Sequence, residues 1–310
     1  MAELSTGLEE MLTALVPLES LSLPVMDSLG CVLAGDVRAP DDIPAFATVA
    51  IDGYAVKFSD HVLGKAVRVI DEVPAGFRAS ELYLPGTCIR VARGAPLPDG
   101  TDTVVEQVHA RVVEGGIVLE RPQAGHGVVQ VGALSTAGAP LARAGQPIDA
   151  ETVGTLARAG IRAVEVHPRP RVLVVTVGTE YVEPGVPTPI GLVADHLSQL
   201  AAALVIEFGA TAFRIPPVLD DRDDIRQVVD DNAHRSDVIV LCGVDELAAG
   251  DIASALGLSS GDPIRGHSLM LGMYEGSLVV SLPDDPAALV ATARAGLPRI
   301  IARLMGRARA

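Results

Sequence analysis

The sequence predicts an α/β protein of several domains, one of which is built on a mostly parallel sheet. From Arg169 onward, short apolar runs typical of buried strands alternate with helix-period segments, and such alternation indicates βαβ units. Between residues 44 and 140 the runs are short, β-rich and densely punctuated by Gly and Pro, which is typical of a small β domain. A chain of 310 residues is long enough for two or three such domains.

The elements of the N-terminal half follow from periodicity and turn residues. Apolar residues recur at helical spacing from Leu8 to Leu15, so the first element is predicted to be an amphipathic helix that joins a core. The β-rich region is predicted to contain strands at 67–70 and 88–91, a hairpin with arms 103–113 and 117–120, and then a helix at 150–159 that ends at Gly160.

The C-terminal half is predicted to alternate strands with helices. Apolar strands are expected at 171–177, 212–216 and 237–241, helices at 191–208, 223–233 and 286–305, and an apolar hairpin at 268–281.

Composition and charge exclude several classes of function. The net charge of −15 argues against a nucleic-acid partner, which requires a basic surface to neutralise phosphates. The three cysteines Cys31, Cys88 and Cys242 are odd in number and far apart, which favours reduced thiols over disulfides or a zinc site. No apolar run approaches the roughly 20 residues that span a bilayer, and no signal peptide opens the chain. We therefore expect a cytoplasmic protein without membrane insertion.

Three ordered motifs identify a family. Residues Asp52-Gly53-Tyr54-Ala55 are preceded by Asp41-Asp42-Ile43-Pro44 and, further upstream, by Gly30-Cys31-Val32-Leu33-Ala34. Together they closely resemble the MoeA family of molybdopterin molybdenumtransferases, which includes the gephyrin E domain. The resemblance covers essentially the whole chain.

The resemblance implies a domain plan. Residues 1–43 and 141–168 would form an elongated, helix-containing first domain, and residues 44–140 an inserted small β domain. Residues 169–310 would form a three-layer α/β domain of the molybdopterin-binding type with a mostly parallel sheet. The family's fourth, β-rich domain is expected to be absent. Family members form homodimers, so a homodimer is expected here.

The family's ligands are a pterin dithiolene with a phosphate or adenylate, molybdate and magnesium. The resemblance assigns catalytic roles to Asp52, Glu180 and Asp220, and metal ligation to Glu180, Asp220 and Asp251. It assigns cofactor contacts to Gly53, Tyr54, Gly94, Gly178 and Gly243. Asp220 and Asp221 also precede a predicted helix, so capping is an equally good account of both acids.

The anion-binding motifs of the family are altered here. Arg93 replaces a threonine, and we expect it to pair with an acid of its own domain or of a partner subunit. Asp245 and Glu246 stand in the family's glycine loop, and both lysines of its Lys-Pro-Gly-Lys-Pro motif are missing from Ile264–Ser268. Asp284 and Asp285 replace Gly and Asn, although they also begin the last helix as caps. The asparagine expected near the start of the 191–208 helix is Gly191.

Two classes of function therefore remain. The inherited one is insertion of molybdate into adenylated molybdopterin; the other is a non-catalytic binding or scaffold role with a protein partner, as in gephyrin. A third option, adenylylation of molybdopterin by the α/β domain alone, requires the same altered glycine loop. Two unit charges about 4 Å apart interact by roughly 4 kcal/mol at an effective dielectric near 20, whereas micromolar binding totals about 8 kcal/mol. The altered motifs therefore favour a degenerate site that binds neither magnesium nor molybdopterin.

Overall fold

The computed structural model describes residues 6–244, 250, 252–254, 256, 258, 260–264 and 267–307. The chain forms two compact units. One contains Met1–Asp36, Ala142–Ala157 and Ile161–Ala310, and the other contains Val37–Leu141 and Arg158–Gly160. The division of the chain into three domains at residues 43, 140 and 168 stays a prediction.

Strands β1 to β13 are Leu21–Pro24, Val32–Leu33, Val37–Arg38, Thr48–Val49, Gly53–Val56, Ala66–Val73, Thr87–Val91, Thr103–Glu106, Ala110–Val113, Gly116–Leu119, Val128–Val129, Pro140–Ala142 and Ala163–His167. Strands β14 to β21 are Arg171–Thr176, Tyr181–Val182, Val193–Ala194, Thr211–Arg214, Val238–Cys242, Ser260–Ile264, His267–Tyr274 and Ser277–Leu282. Helices α1 to α5 are Thr6–Ala14, Ala150–Arg158, Leu197–Glu207, Arg222–Ala233 and Pro286–Leu304.

The larger unit is organised around a six-stranded sheet in the order β17-β14-β18-β21-β20-β19. The first four strands run parallel to one another, while β20 and β19 are antiparallel additions at one side. Strands β14 and β18 are almost continuously apolar, as expected for strands that are covered on both faces. The prediction of a mostly parallel sheet is therefore confirmed for its central strands.

Helices pack on both faces of this sheet. Alternate residues of β14 divide between two clusters: Val172 and Val174 lie with α1, α3 and α5, and Leu173 and Val175 lie with α4. The apolar side of α1 is buried in the first cluster, where Leu8 has no exposed surface. The first helix is thus part of a core, as its periodicity predicted.

A separate antiparallel sheet, β1-β13-β2, also belongs to this unit. Its pairing of β1 with β13 joins residues Leu21–Pro24 to Ala163–His167. Segments from the two ends of the N-terminal half therefore lie side by side, although these short strands were not predicted.

The smaller unit contains a second six-stranded sheet in the order β8-β5-β7-β6-β10-β9. The predicted hairpin is only partly correct. Its second arm pairs with Ala110–Val113, but the first arm is interrupted by a 3-10 helix at Gln107–His109. The preceding strand β8 pairs instead with β5, so the first arm consists of two strands with different partners.

Helix α3 begins six residues later than predicted. Residues 191–196 are apolar enough to extend a helical pattern, but Val193–Ala194 forms a strand with Tyr181–Val182 and Gly191 has a φ of +97°. The backbone N–H of Asp195 donates to the carbonyl of Val182 (2.7 Å), which is incompatible with a helix at this point. The assignment of Gly191 to the start of a helix is therefore wrong.

Gly53 marks the closest backbone approach in the smaller sheet. A Cβ atom at this position would lie 2.1 Å from the carbonyl oxygen of Val105, so backbone would have to move. We predict that Gly53→Ala lowers the free energy of unfolding by about 1–3 kcal/mol, measured by urea denaturation. Gly154→Ala is the control, because a Cβ atom there meets nothing within 4 Å and Ala is up to about 1 kcal/mol better than Gly in a helix. An unchanged midpoint for Gly53→Ala would contradict the steric argument.

Candidate functional site

The carboxyl ends of the parallel strands form the candidate site of the larger unit. Strands β14, β18 and β21 end at Thr176, Cys242 and Leu282, and the loops that follow them are hydrogen-bonded to neighbouring strand ends. The N–H of Val177 donates to the carbonyl of Cys242 (2.8 Å), and that of Gly243 donates to Leu282 (3.1 Å). Open parallel sheets bind ligands at this edge.

The two predicted glycines of this edge serve close packing between loops. Gly243 has a φ of +82°, and a Cβ atom there would lie 2.6 Å from the carbonyl oxygen of Val177. Gly178 has a φ of +152°, and its Cβ would lie 2.7 Å from Oε2 of Glu180. The structure thus brings Gly178, Gly243 and Glu180 together, and each glycine is required by backbone geometry.

Glu180 lies exposed at this edge beside a tyrosine. Burial raises the pKa of the Tyr181 phenol, and the negative charges of Glu180, Asp284 and Asp195 raise it further. The ring of Tyr181 packs at 6.1 Å, centroid to centroid, from the exposed ring of His196. The site therefore presents an acid, a phenol and an imidazole in a negative local field.

Asp220 and its neighbour Asp221 have different surroundings. Asp221 is the N-cap of α4, and its Oδ1 accepts from the backbone N–H groups of Asp223 (2.9 Å) and Asp224 (3.3 Å). Asp220 is exposed in the preceding turn. The capping account is therefore confirmed for Asp221, and Asp220 remains available for a ligand.

Metal ligation was predicted for Glu180, Asp220 and Asp251. Asp251 lies outside the residues that the structure describes. Among those that it does describe, no group of three or more His, Cys, Asp or Glu side chains is arranged to hold a metal ion. Because Mg²⁺ is commonly held by one or two carboxylates together with waters and phosphates, metal ligation by Glu180 and Asp220 stays a prediction, and we derive no step through a metal.

The structure describes only some of the altered anion-binding positions. Asp285 is the N-cap of α5, where its Oδ1 accepts from the N–H of Ala288 (2.8 Å), so its predicted capping role is confirmed. Asp284 is exposed beside it. Asp245 and Glu246 lie outside the described residues, as do Arg265 and Gly266 of the altered lysine motif.

A buried ionic network beneath this edge was missed by the sequence analysis. The carboxylate of Asp195 has no exposed surface; its Oδ1 accepts from Thr176 Oγ1 (2.7 Å) and the N–H of Ser198 (3.1 Å). Its Oδ2 accepts from the Ser198 hydroxyl and from Arg214 Nη2 (3.3 Å). Arg214 also contacts Glu183 at 3.2 Å and donates from Nε to Ser198 Oγ (2.7 Å).

The charge of Asp195 is stabilised by this network. Burial alone would raise the pKa of Asp195, but the hydrogen bonds from Ser198, Thr176 and Arg214 outweigh burial and hold it below the ordinary value. The available sequence signal was an Asp shortly before an apolar helical run, which is typical of a residue near a helix N-terminus.

In the smaller unit, the predicted residues cluster around β5. Asp52 precedes this strand, and its Oδ1 accepts from the backbone N–H of Arg93 (2.8 Å). Gly94 follows with a φ of +85° and donates its N–H to Val49 (2.8 Å). Asp52, Gly53 and Gly94 thus lie close together, whereas the side chain of Tyr54 is 7% exposed in the apolar core.

Arg93 forms no ion pair with the acids of this chain that the structure describes. Its side chain is exposed, and none of the ion pairs found among the described residues includes it. The contact with Asp52 is made by its backbone instead. For the described acids of this chain the prediction is wrong, and pairing with a partner subunit stays a prediction.

Within the described ranges, no helix combines the length and the apolar character needed to cross a bilayer.

Comparison with known proteins gives a consistent set of matches. The model of the MoeA N-terminal region (domain I and II) matches residues 3–160. Molybdopterin molybdenumtransferase 2 of Mycobacterium tuberculosis is 33% identical over 245 residues, which are 76% of this chain and 58% of that protein. Molybdopterin molybdenumtransferase of Nostoc sp. is 28% identical over 298 residues, covering 90% of this chain and 68% of the relative. The chain thus spans little more than half the length of the mycobacterial relative.

A solved structure shows the same fold. The molybdopterin biosynthesis MoeA protein from Pyrococcus horikoshii superposes with a TM-score of 0.79 at 24% identity, covering 98% of this chain and 81% of that one. The MoeA-like α/β fold predicted from the sequence is therefore confirmed.

The depressed pKa of Asp195 predicts a pH-dependent contribution to stability. We expect Asp195→Asn to lower the free energy of unfolding by about 2–3 kcal/mol at pH 7, because removing one partner of a buried ion pair strands the other. A depressed folded pKa gives stability that is complete above the unfolded value of about 3.9 and is lost as pH falls through the folded value. The difference between the two proteins should therefore be constant near neutrality and shrink below about pH 4.

Urea unfolding at pH values between 3 and 7 measures this difference. Asp220→Asn is the matched control, because its carboxylate is exposed and surface substitutions usually change stability by less than about 0.5 kcal/mol. A difference between wild type and Asp195→Asn that does not depend on pH would show that the charge of Asp195 contributes nothing.

Proposed function

The chain belongs to the MoeA family, and from that membership we propose that it takes part in molybdenum cofactor biosynthesis. The named relatives are molybdopterin molybdenumtransferases. The MoeA-like fold supports the proposal, and the loops at the carboxyl edge are tightly packed around Gly178 and Gly243. Glu180 and Asp220 are exposed near or at this edge, as a ligand-binding role requires.

We further propose that the site of this chain binds the anionic ligands of the family poorly and is non-catalytic. The supporting observation is electrostatic. Burial is the largest cause of the raised pKa of Tyr181, and the negative charges of Glu180, Asp284 and Asp195 raise it further, so several acids act on this part of the carboxyl edge. The cation of the underlying network, Arg214, is already paired with Asp195 and Glu183.

A phosphate placed at this edge would meet acids rather than donors. The start of α5 would ordinarily attract an anion through its free N–H groups. Here Asp285 occupies one of these groups, that of Ala288, and the exposed Asp284 adds a second negative charge. A carboxylate about 4 Å from a bound phosphate would cost about 1 kcal/mol even in water. Two such acids would remove a substantial part of a micromolar affinity, which totals about 8 kcal/mol.

In this proposal the protein acts as a binding or scaffold partner in the cofactor pathway. Magnesium and molybdopterin are ligands of the family that this chain is not proposed to retain. Protein partners are favoured over nucleic acid, because the net charge is −15. A reducing, cytoplasmic compartment is proposed as well, supported by three free and buried thiols, Cys31, Cys88 and Cys242.

The second candidate function is an active molybdenumtransferase. One observation favours it: the carboxylate of Asp52 is oriented by the N–H of Arg93 at 2.8 Å, and the guanidinium of Arg93 is exposed. An acid and an unpaired cation close together could contact an anionic ligand that also carries hydrogen-bond donors.

Titration calorimetry with adenylated molybdopterin in the presence of magnesium separates the two functions. We expect no binding in the low micromolar range, with the mycobacterial molybdopterin molybdenumtransferase 2 as the positive control. A low micromolar dissociation constant, or turnover to molybdenum cofactor, would establish the active enzyme.

A charge-removal variant tests the electrostatic cause in the same assay. Asp284→Asn should tighten any residual binding about fivefold, the equivalent of about 1 kcal/mol, and should lower the pKa of Tyr181. Asp99→Asn is the control, because Asp99 is an exposed acid of the smaller unit and is not among the charges that raise the pKa of Tyr181. An unchanged Tyr181 pKa in Asp284→Asn would contradict the negative field.

We also propose that the protein forms a homodimer, as the family resemblance implies. The apolar side of α1 lies in its own core, so an interface must use other residues, and Val16 (71% exposed) and Met26 (68%) are available. Light scattering after gel filtration should give about twice the monomer mass of 32.1 kDa. A monomer at micromolar concentration would contradict the proposal.

A further inference from the structure

We propose that Asp195 and Arg214 are positioning residues that hold Glu180 and Tyr181 at the carboxyl edge of the sheet. The inference concerns the segment from Tyr181 to Ala194, called the arm below. It rests on the proposed function only in treating the carboxyl edge, where Glu180 is exposed, as the candidate site of this chain.

The arm is closed at its base by a short strand pair. Strands β15 and β16 run parallel, with Tyr181 opposite Val193. The N–H of Val193 donates to the carbonyl of Glu180 (2.8 Å), and the N–H of Asp195 donates to the carbonyl of Val182 (2.7 Å). The backbone of Glu180 is therefore held by residues that lead directly into Asp195.

A pair of two-residue strands is too short to be stable alone, because isolated hairpins are marginal in water. Both strands of this pair are at least partly exposed. The segment from Glu183 to Leu192 is largely exposed as well, and Val186 and Ile190 are among its exposed apolar residues. The arm therefore needs an anchor that its own sequence does not supply.

Asp195 is that anchor. Its side chain accepts from Thr176 at the end of β14 and from Ser198 in the first turn of α3, while its own N–H holds Val182. One buried residue thereby connects the sheet, the helix and the end of the arm. Because both carboxylate oxygens are occupied, the side chain has a single favourable orientation.

Arg214 adds a second connection at the beginning of the arm. It stands at the carboxyl end of β17, and its Nη2 atom contacts both Asp195 (3.3 Å) and Glu183 (3.2 Å). Glu183 is the first residue after β15, so the guanidinium joins the two ends of the arm across its base. Arg is suited to this task because its planar donors have a fixed geometry.

A contribution to the stability of the fold does not by itself explain why this buried network is charged. Buried ion pairs are costly to desolvate, and well-packed apolar residues are often as stabilising. The charged groups add a fixed geometry, because each hydrogen-bond donor and acceptor specifies where its partner must lie. The same sheet offers a comparison at the amino ends of its parallel strands. There Arg171, at the start of β14, pairs with Asp237 at 3.1 Å, away from the arm.

Hydrogen exchange and fluorine NMR measure the position of the arm without any ligand. In Asp195→Asn we expect the amide protons of Val193 and residue 195 to exchange at least tenfold faster, relative to amides of β18. With 3-fluorotyrosine incorporated, the Tyr181 resonance, identified by its loss in Tyr181→Phe, should shift or broaden. Asp237→Asn is the matched control and should leave both signals unchanged, although it too destabilises the sheet.

Two milder variants keep the test decisive if Asp195→Asn does not fold. Glu183→Gln removes the ion pair at a partly exposed residue and should increase exchange at Val193. Arg214→Lys retains one charge and should give an intermediate effect, because an ammonium group reaches fewer partners than a guanidinium.

The proposal is overturned if local exchange and the Tyr181 resonance are unchanged in Asp195→Asn, or in both milder variants. It is equally overturned if Asp237→Asn produces the same local changes, since the network would then act only on overall stability. Because no ligand is used, these outcomes are independent of whether the protein binds adenylated molybdopterin, so failure of the proposed function is detected separately.

Discussion

The candidate site depends on one buried charge. A carboxylate with no contact with water must be compensated by hydrogen bonds and a cation, or it will take up a proton. Asp195 satisfies this requirement with Thr176, Ser198 and Arg214. These partners come from the end of β14, the start of α3 and the end of β17, so compensating the charge also fixes how three elements meet at the carboxyl edge.

The same compensation determines the electrostatics above it. Arg214 would otherwise be a cation at the edge where ligands of open sheets bind, but its charge is balanced by Asp195 and Glu183. The acids that remain, Glu180 and Asp284, raise the pKa of Tyr181 in addition to the effect of burial. Under the proposed function, the MoeA-like fold is combined here with acids at the carboxyl edge that would repel an anionic ligand.

Sequence reasoning succeeded where a local pattern determines structure. The buried strands β14 and β18 are continuous apolar runs, and the acids before α4 and α5 lie one residue ahead of helix starts, so both could be predicted. It failed where residues far apart in the sequence determine the local structure. Residues 191–196 fit a helical period, but β16 pairs with β15 instead. Asp195 carried only a capping signal, since its partner Arg214 is brought near by the sheet and not by the sequence.

Asp52 and Asp220, two carboxylates that the family resemblance singled out, have different local roles in the structure. Asp52 accepts the N–H of Arg93 and so stabilises the turn after β7 whether or not a ligand binds. A structural role is therefore one sufficient account of an acid at position 52, alongside the ligand contact considered for the active enzyme. Asp220 is different, because its neighbour Asp221 performs the capping of α4 and Asp220 itself is exposed. No local requirement in the described structure accounts for an acid at position 220, and the case for a surviving ligand contact is accordingly stronger there than at Asp52.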